Sequence, residues 1–217
     1  MTVSSNLKRC DMSQYFKIHP ENPQARLLRQ AAQILQEGGV IVYPTDTTYG
    51  LGCVMSNRKG VERVVRIKQL SDTHQLTLLC ADLSDIANYA RVDNSCYRLL
   101  KRFLPGPYTF VLEASREVPK KILPRRKTIG LRVPNHQICH ALLELVGEPL
   151  LSTSVRLPGH EEIFTDPSLI RDQLEHQVDL IIDGGILPEH PSTIIDMTSG
   201  EPELLREGAG DSAAIFK

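Results

Sequence analysis

Val40-Ile41-Val42-Tyr43-Pro44-Thr45-Asp46-Thr47-Thr48-Tyr49-Gly50-Leu51-Gly52 is the stretch on which the fold turns. Its first four residues are a short, continuous apolar run, as in a strand buried on both faces. Pro44 ends that strand. The three threonines, Asp46 and two glycines that follow read as a small-residue loop. Upstream, Leu27, Leu28, Ala31, Ile34 and Leu35 recur at helical spacing, and Gly38-Gly39 stop that helix. Asn22 and Pro23 read as its N-cap and first turn. Downstream, Val61, Val64, Val65 and Ile67 restore the helical period. Helix, buried strand, loop and helix in succession predict an α/β chain.

The same reading carries along the chain. Strands are expected at residues 76–80, 108–112, 128–133, 150–154, 178–182, 193–196 and 203–206. Helices are expected at 83–90 and 94–103, from Pro134 to Gly147, and from Asp166-Pro167 to about His176. Strands alternate with helices but also come in runs. The predicted fold is therefore α/β, a single-domain twisted sheet of mixed direction with helices on its faces. Residues 1–14 read as a flexible N-terminal arm and 15–217 as the domain.

Composition removes several function classes. With 217 residues, the chain is long enough to bury a core without disulfides or a metal. Lys+Arg 25 against Asp+Glu 26 excludes a general polycation. Trp is absent and aromatics are 5%, which argues against a base-stacking platform. The five cysteines are scattered and no pair is spaced as a C-x-x-C, so free thiols are expected. No apolar run is long enough for a membrane span, and the chain starts without a hydrophobic signal region. A cytoplasmic location is expected. There is no Walker-type loop, no Gly-x-Ser-x-Gly elbow and no His/Cys ligand cluster.

Four polar segments at or near strand ends could bind a ligand. The 44–52 loop offers hydroxyls and close backbone approach, or is simply a turn capped by its own side chains. Lys68 ends a helix and suits either a phosphate or the helix dipole. Arg132 lies in an apolar strand and needs an anion, either a ligand or a structural partner. Ser152-Thr153-Ser154 with Arg156 could cradle phosphate oxygens or be a polar strand end. The basic stretch 119–127 reads as a solvated loop or an electrostatic landing site for nucleic acid.

In order, the segments Pro44–Gly52, Pro105-Gly106-Pro107-Tyr108-Thr109, Thr128–Pro134, Asp183-Gly184-Gly185, Ser192-Thr193-Ile194-Ile195-Asp196 and Leu205-Arg206-Glu207-Gly208 resemble the motifs of the YrdC/TsaC family of threonylcarbamoyl-AMP synthases. The likeness is greatest to the YciO branch. The resemblance implies the YrdC-like fold and an ATP-dependent nucleotidyl transfer, with Mg²⁺ assisting. L-Threonine and bicarbonate form a carbamate that attacks the α-phosphate. The resulting threonylcarbamoyl-AMP goes to partner proteins that modify tRNA. It implies that Thr47, Arg132, Ser152 and Ser192 face the amino acid, and that Lys68, Thr128, Ser154 and Arg206 face ATP; no catalytic acid–base residue and no protein-held metal are implied. The alternative is a YciO-type paralogue that binds nucleotide or double-stranded RNA without efficient synthesis. Three departures stand out. Lys68-Gln69-Leu70 replaces the family's Lys-x-Arg, Ser154-Val155-Arg156 replaces its Ser-x-Asn, and Leu79 stands where a histidine is usual. One phosphate-facing cation is lost and another, Arg156, is gained.

Overall fold

In the computed structural model, residues 12–70, 76–122, 127–160 and 162–216 are described. The first eleven residues of the expected arm lie outside them.

Ten strands form one mixed sheet. In chain order they are β1 (Gln14–Lys17), β2 (Ile41–Tyr43), β3 (Gly50–Val54), β4 (Thr77–Leu79), β5 (Tyr108–Glu113), β6 (Thr128–Arg132), β7 (Leu150–Ser154), β8 (Leu180–Asp183), β9 (Thr193–Asp196) and β10 (Glu203–Arg206). Across the sheet they run β1-β8-β2-β3-β7-β4-β6-β5-β9-β10. Neighbours β1/β8, β8/β2, β4/β6 and β5/β9 are parallel, and the remaining pairs antiparallel. The helices are α1 (Ala25–Gln36), α2 (Arg58–Lys68), α3 (Leu83–Tyr89), α4 (Asn94–Phe103), α5 (Gln137–Val146) and α6 (Pro167–Leu174).

Two expectations change. The 44–52 segment is loop only through Tyr49. β3 follows at once and is buried throughout, because its glycines leave room for side chains arriving from neighbouring strands. The first helix begins at Ala25, not Pro23. Gln24 is its N-cap without a side-chain bond, and the Asn22 N–H donates instead to His19 Nδ1. β1 was unread in the sequence; its alternation is weak and its residues only half-buried or exposed.

Period-two alternation divides every central strand between two faces. Leu51, Cys53, Leu78, Phe110, Ile129, Leu131 and Leu151 enter one core with α2, α3, α4 and α6. Ile41, Val54, Leu79, Leu150 and Ile182 enter a second core under α1 and α5. These two helices cover only part of their face. The uncovered remainder, where β7, β4, β6, β5, β9 and β10 present their alternate residues, is the floor of a cleft.

Candidate functional site

The cleft has a volume of about 330 Å³. On one face of the sheet its floor carries Gly50 from β3, Ser152 and Ser154 from β7, Thr77 and Leu79 from β4, Arg132 from β6, Thr109 from β5 and Arg206 from β10. Thr45 and Thr48 of the β2–β3 loop, Arg156 beyond β7, and Pro191 and Ser192 before β9 complete much of its wall.

Four cations border the cleft: Lys68, Arg132, Arg156 and Arg206. Lys68, the last residue of α2, donates to the carbonyls of Ser154 (2.9 Å) and Arg156. Burial and the Arg156 guanidinium push its ammonium down to about 8. Arg206 donates from Nε and from a terminal nitrogen to the Ser192 carbonyl at 3.1 and 2.7 Å. Burial, then Arg156 and Arg132, hold it below the usual arginine range. Arg132 is 7% exposed and donates to Asp46 Oδ1 at 2.5 Å. Among the described residues it is the one cleft cation with a carboxylate partner. Its Nε and the second oxygen of Asp46 are buried and have no hydrogen-bond partner among the described residues. Three of the four cations thus lack an acidic partner among the described residues, and Arg156 lowers both Lys68 and Arg206, a field that favours a polyanion.

Hydroxyls complete the lining. Thr109 Oγ1 and Ser192 Oγ lie 2.8 Å apart. Thr193 Oγ1 donates to the Gly210 carbonyl at 2.7 Å and accepts from the Gly208 and Gly210 amides, tying the chain after β10 behind Ser192. A Cβ on Gly208 would stand 2.2 Å from the Pro191 carbonyl oxygen, so only glycine fits there.

Six of the eight expected residues meet in this wall: Lys68, Arg132, Ser152, Ser154, Ser192 and Arg206. Two do not. Thr47 is 1% exposed, tucked behind the loop with its amide and hydroxyl against Thr45 Oγ1. Thr45, which donates to the Thr48 carbonyl at 2.6 Å, holds the turn, and Thr45 and Thr48 take the cleft positions instead. Thr128 opens β6 opposite Glu113, at the far end of the strand from Arg132. Four residues of strand separate the two by ~13 Å. Thr77 and Thr109 were missed. Each is a lone hydroxyl in an apolar strand, and period two would have placed it on the face opposite Leu78 or Phe110. Arg132 also satisfies the structural alternative, since Asp46 pairs with it. Residues 123–126 of the basic stretch lie outside the described residues, and nothing else observed favours RNA.

A magnesium site built by the protein does not fit this lining. Asp46 is spent on Arg132, and no group of three His, Cys, Asp or Glu side chains gathers as a cation site among the described residues. Among those residues, too, no helix is long and apolar enough to cross a membrane. All four described cysteines of the core are free and buried.

Comparison with known proteins gives consistent matches. Residues 33–208 match the Sua5/YciO/YrdC family model, described as "Telomere recombination". The chain is 54% identical over 201 residues to the "Uncharacterized protein YciO" of Escherichia coli, covering 92% of this chain and 98% of that one. The crystal structure of E. coli YciO superposes with a TM-score of 0.89 over the same shares. A threonylcarbamoyl-AMP synthase of Vibrio vulnificus is 35% identical over 185 residues, 83% of this chain and 98% of that protein. P. abyssi Sua5 complexed with L-threonine superposes with a TM-score of 0.88 at 30% identity, covering 94% of this chain and 60% of that one.

Proposed function

The chain belongs to the Sua5/YciO/YrdC family, and from that premise we propose that its cleft makes threonylcarbamoyl-AMP from ATP, L-threonine and bicarbonate. The balance is L-threonine plus bicarbonate plus ATP giving threonylcarbamoyl-AMP, pyrophosphate and water. The amine takes up CO2 from bicarbonate and loses a proton. A carbamate oxygen then attacks the α-phosphorus as the bond to the β-phosphate oxygen breaks.

The observation that carries this reading is the unpaired cation trio of Lys68, Arg156 and Arg206 beside the buried Arg132. A triphosphate brings the negative charge that the trio lacks. Arg132 presents the remainder of its fork to the amino-acid carboxylate, while Asp46 fixes its orientation. Ser154 stands with the nucleotide. Ser152 and Ser192 stand where the two substrates meet. Catalysis on this account is positioning and charge neutralisation rather than acid–base chemistry. Mg²⁺ would enter with the nucleotide, held by its phosphates. The product would pass in the cytoplasm to partner proteins that modify tRNA.

The test is pyrophosphate release by the purified protein with ATP, bicarbonate and one amino acid at a time. Release that needs both L-threonine and bicarbonate is expected. Release with a different amino acid alone, or none with any, overturns the reading.

A further inference from the structure

Tyr43 is among the largest fully buried side chains in the protein, yet its hydroxyl reaches the cleft floor. It leaves β2, crosses β3 and donates to Ser152 Oγ on β7 at 2.6 Å. β2 and β7 lie two strands apart, roughly 9–10 Å, a span a tyrosine can bridge only if the strand between carries no side chains there. β3 meets that condition with two glycines. A Cβ on Gly50 would lie 3.0 Å from Tyr43 Cζ and 3.2 Å from Ser152 Oγ. One on Gly52 would lie 3.0 Å from the Tyr43 oxygen and 2.5 Å from the Leu151 carbonyl oxygen. The alternating glycines of β3 are therefore the groove in which the ring lies.

A serine hydroxyl has one proton. With Tyr43 donating to its oxygen, that proton must point elsewhere. Among the described residues Ser152 Oγ has no acceptor other than whatever fills the cleft. We infer that Tyr43 is a positioning residue that turns the Ser152 hydroxyl into a fixed donor toward an anionic ligand oxygen above β7. This rests on the proposed function only for the identity of that anion, a carboxylate, carbamate or phosphate oxygen. Burial pushes the phenol far above its usual range, so Tyr43 remains a donor at every working pH.

The test is a double-variant cycle, Tyr43→Phe, Ser152→Ala and both, read as the affinity for L-threonine and for ATP by titration calorimetry. Hydrogen bonds to charged groups are the stronger kind. Ser152→Ala should weaken one of the two ligands about tenfold and Tyr43→Phe about three- to tenfold. Adding Tyr43→Phe to Ser152→Ala should change affinity by less than about twofold, because no hydroxyl is left to orient. Additive losses, or an unchanged affinity in Tyr43→Phe, overturn the inference.

A second measurement needs no ligand. In Ser152→Cys, the pH dependence of iodoacetamide labelling at position 152, read by peptide mass, reports the proton affinity of the sulfur. Tyrosine donating to the thiolate should lower its apparent pKa by about one unit relative to Tyr43→Phe/Ser152→Cys. Equal values in the two backgrounds overturn the inference. If the wild-type chain binds neither L-threonine nor ATP, the proposed function falls and this labelling alone decides the role of Tyr43.

Discussion

The two faces of β6 are made by consecutive residues and behave as different materials. Ile129 and Leu131 point into a closed apolar core. Gly130 and Arg132, one step out of phase, belong to the other face, and there Arg132 opens onto a cleft in which cations outnumber carboxylates. On the first face, energy comes from area removed from water and from packing. On the second, glycines and hydroxyls replace packing, and the charges repel one another. The sheet therefore carries a side closed by packing and a side on which like charges crowd together.

Variants on the two faces sharpen that contrast. The largest effect is expected from Arg132→Met, which takes its guanidinium partner from the part-buried Asp46. It should cost about 3–5 kcal/mol in urea unfolding and abolish L-threonine binding. Asp46→Leu added to it should return most of the stability and none of the binding. Leu131→Ala, on the opposite face, should cost about 2–5 kcal/mol yet leave ligand affinity within twofold wherever the protein is folded. If Leu131→Ala weakened binding as strongly as Arg132→Met, the two faces would not be separable.

Gly52→Ala tests whether the cleft face is built by absence of side chains. The added carbon would meet the Leu151 carbonyl and the Tyr43 oxygen, and should cost about 1–3 kcal/mol, with weaker ligand binding in the same variant. Arg156→Ala should weaken ATP about tenfold, roughly 1.4 kcal/mol. It should leave the urea midpoint unchanged or raise it, because a repulsive neighbour of Lys68 and Arg206 is removed.

The smallest signal is a proton. Lys68 in the free cleft sits at about 8, below the ~10.4 of an unfolded lysine. Its charge therefore disfavours folding fully below about pH 8, and this penalty is relieved as pH climbs from about 8 to 10. A bound phosphate reverses the sign, raising the lysine and drawing in a proton. ATP binding at pH 8 should take up about half a proton, seen as a buffer-dependent heat, and affinity should decline above that pH. In Lys68→Met the uptake should vanish. Uptake that persists there would place the titrating group elsewhere.

Much of the fold was legible because its signals are local. Val40–Tyr43 and Leu76–Cys80 are short apolar runs, and Gly147 with φ +77° closes α5 where the sequence placed its end. β3 was not legible. Glycine disfavours a strand when judged alone, and the reason for Gly50 and Gly52 is a tyrosine from one strand away. Thr47 and Thr128 lie outside the cleft lining for a related reason. Both belong to motifs that supply cleft residues, and a motif does not say which of its hydroxyls faces the ligand and which ties down the turn.

The amino-acid order by itself determined that the chain is α/β, that strands and helices other than β1 and β3 fall near their observed limits, and that cations and hydroxyls accumulate where strands end. Those properties follow from periodicity and from residues that break it, which act over a few neighbours. Tertiary structure alone decided which face of the sheet stays open, because that depends on how far α1 and α5 reach across it. It also decided that Arg132 spends one edge on Asp46, that Lys68 leans on the carbonyls of Ser154 and Arg156, and that Tyr43 reaches Ser152. Each is a contact between segments far apart in the chain, and hydrogen bonds and charges are satisfied in space, without regard to sequence distance.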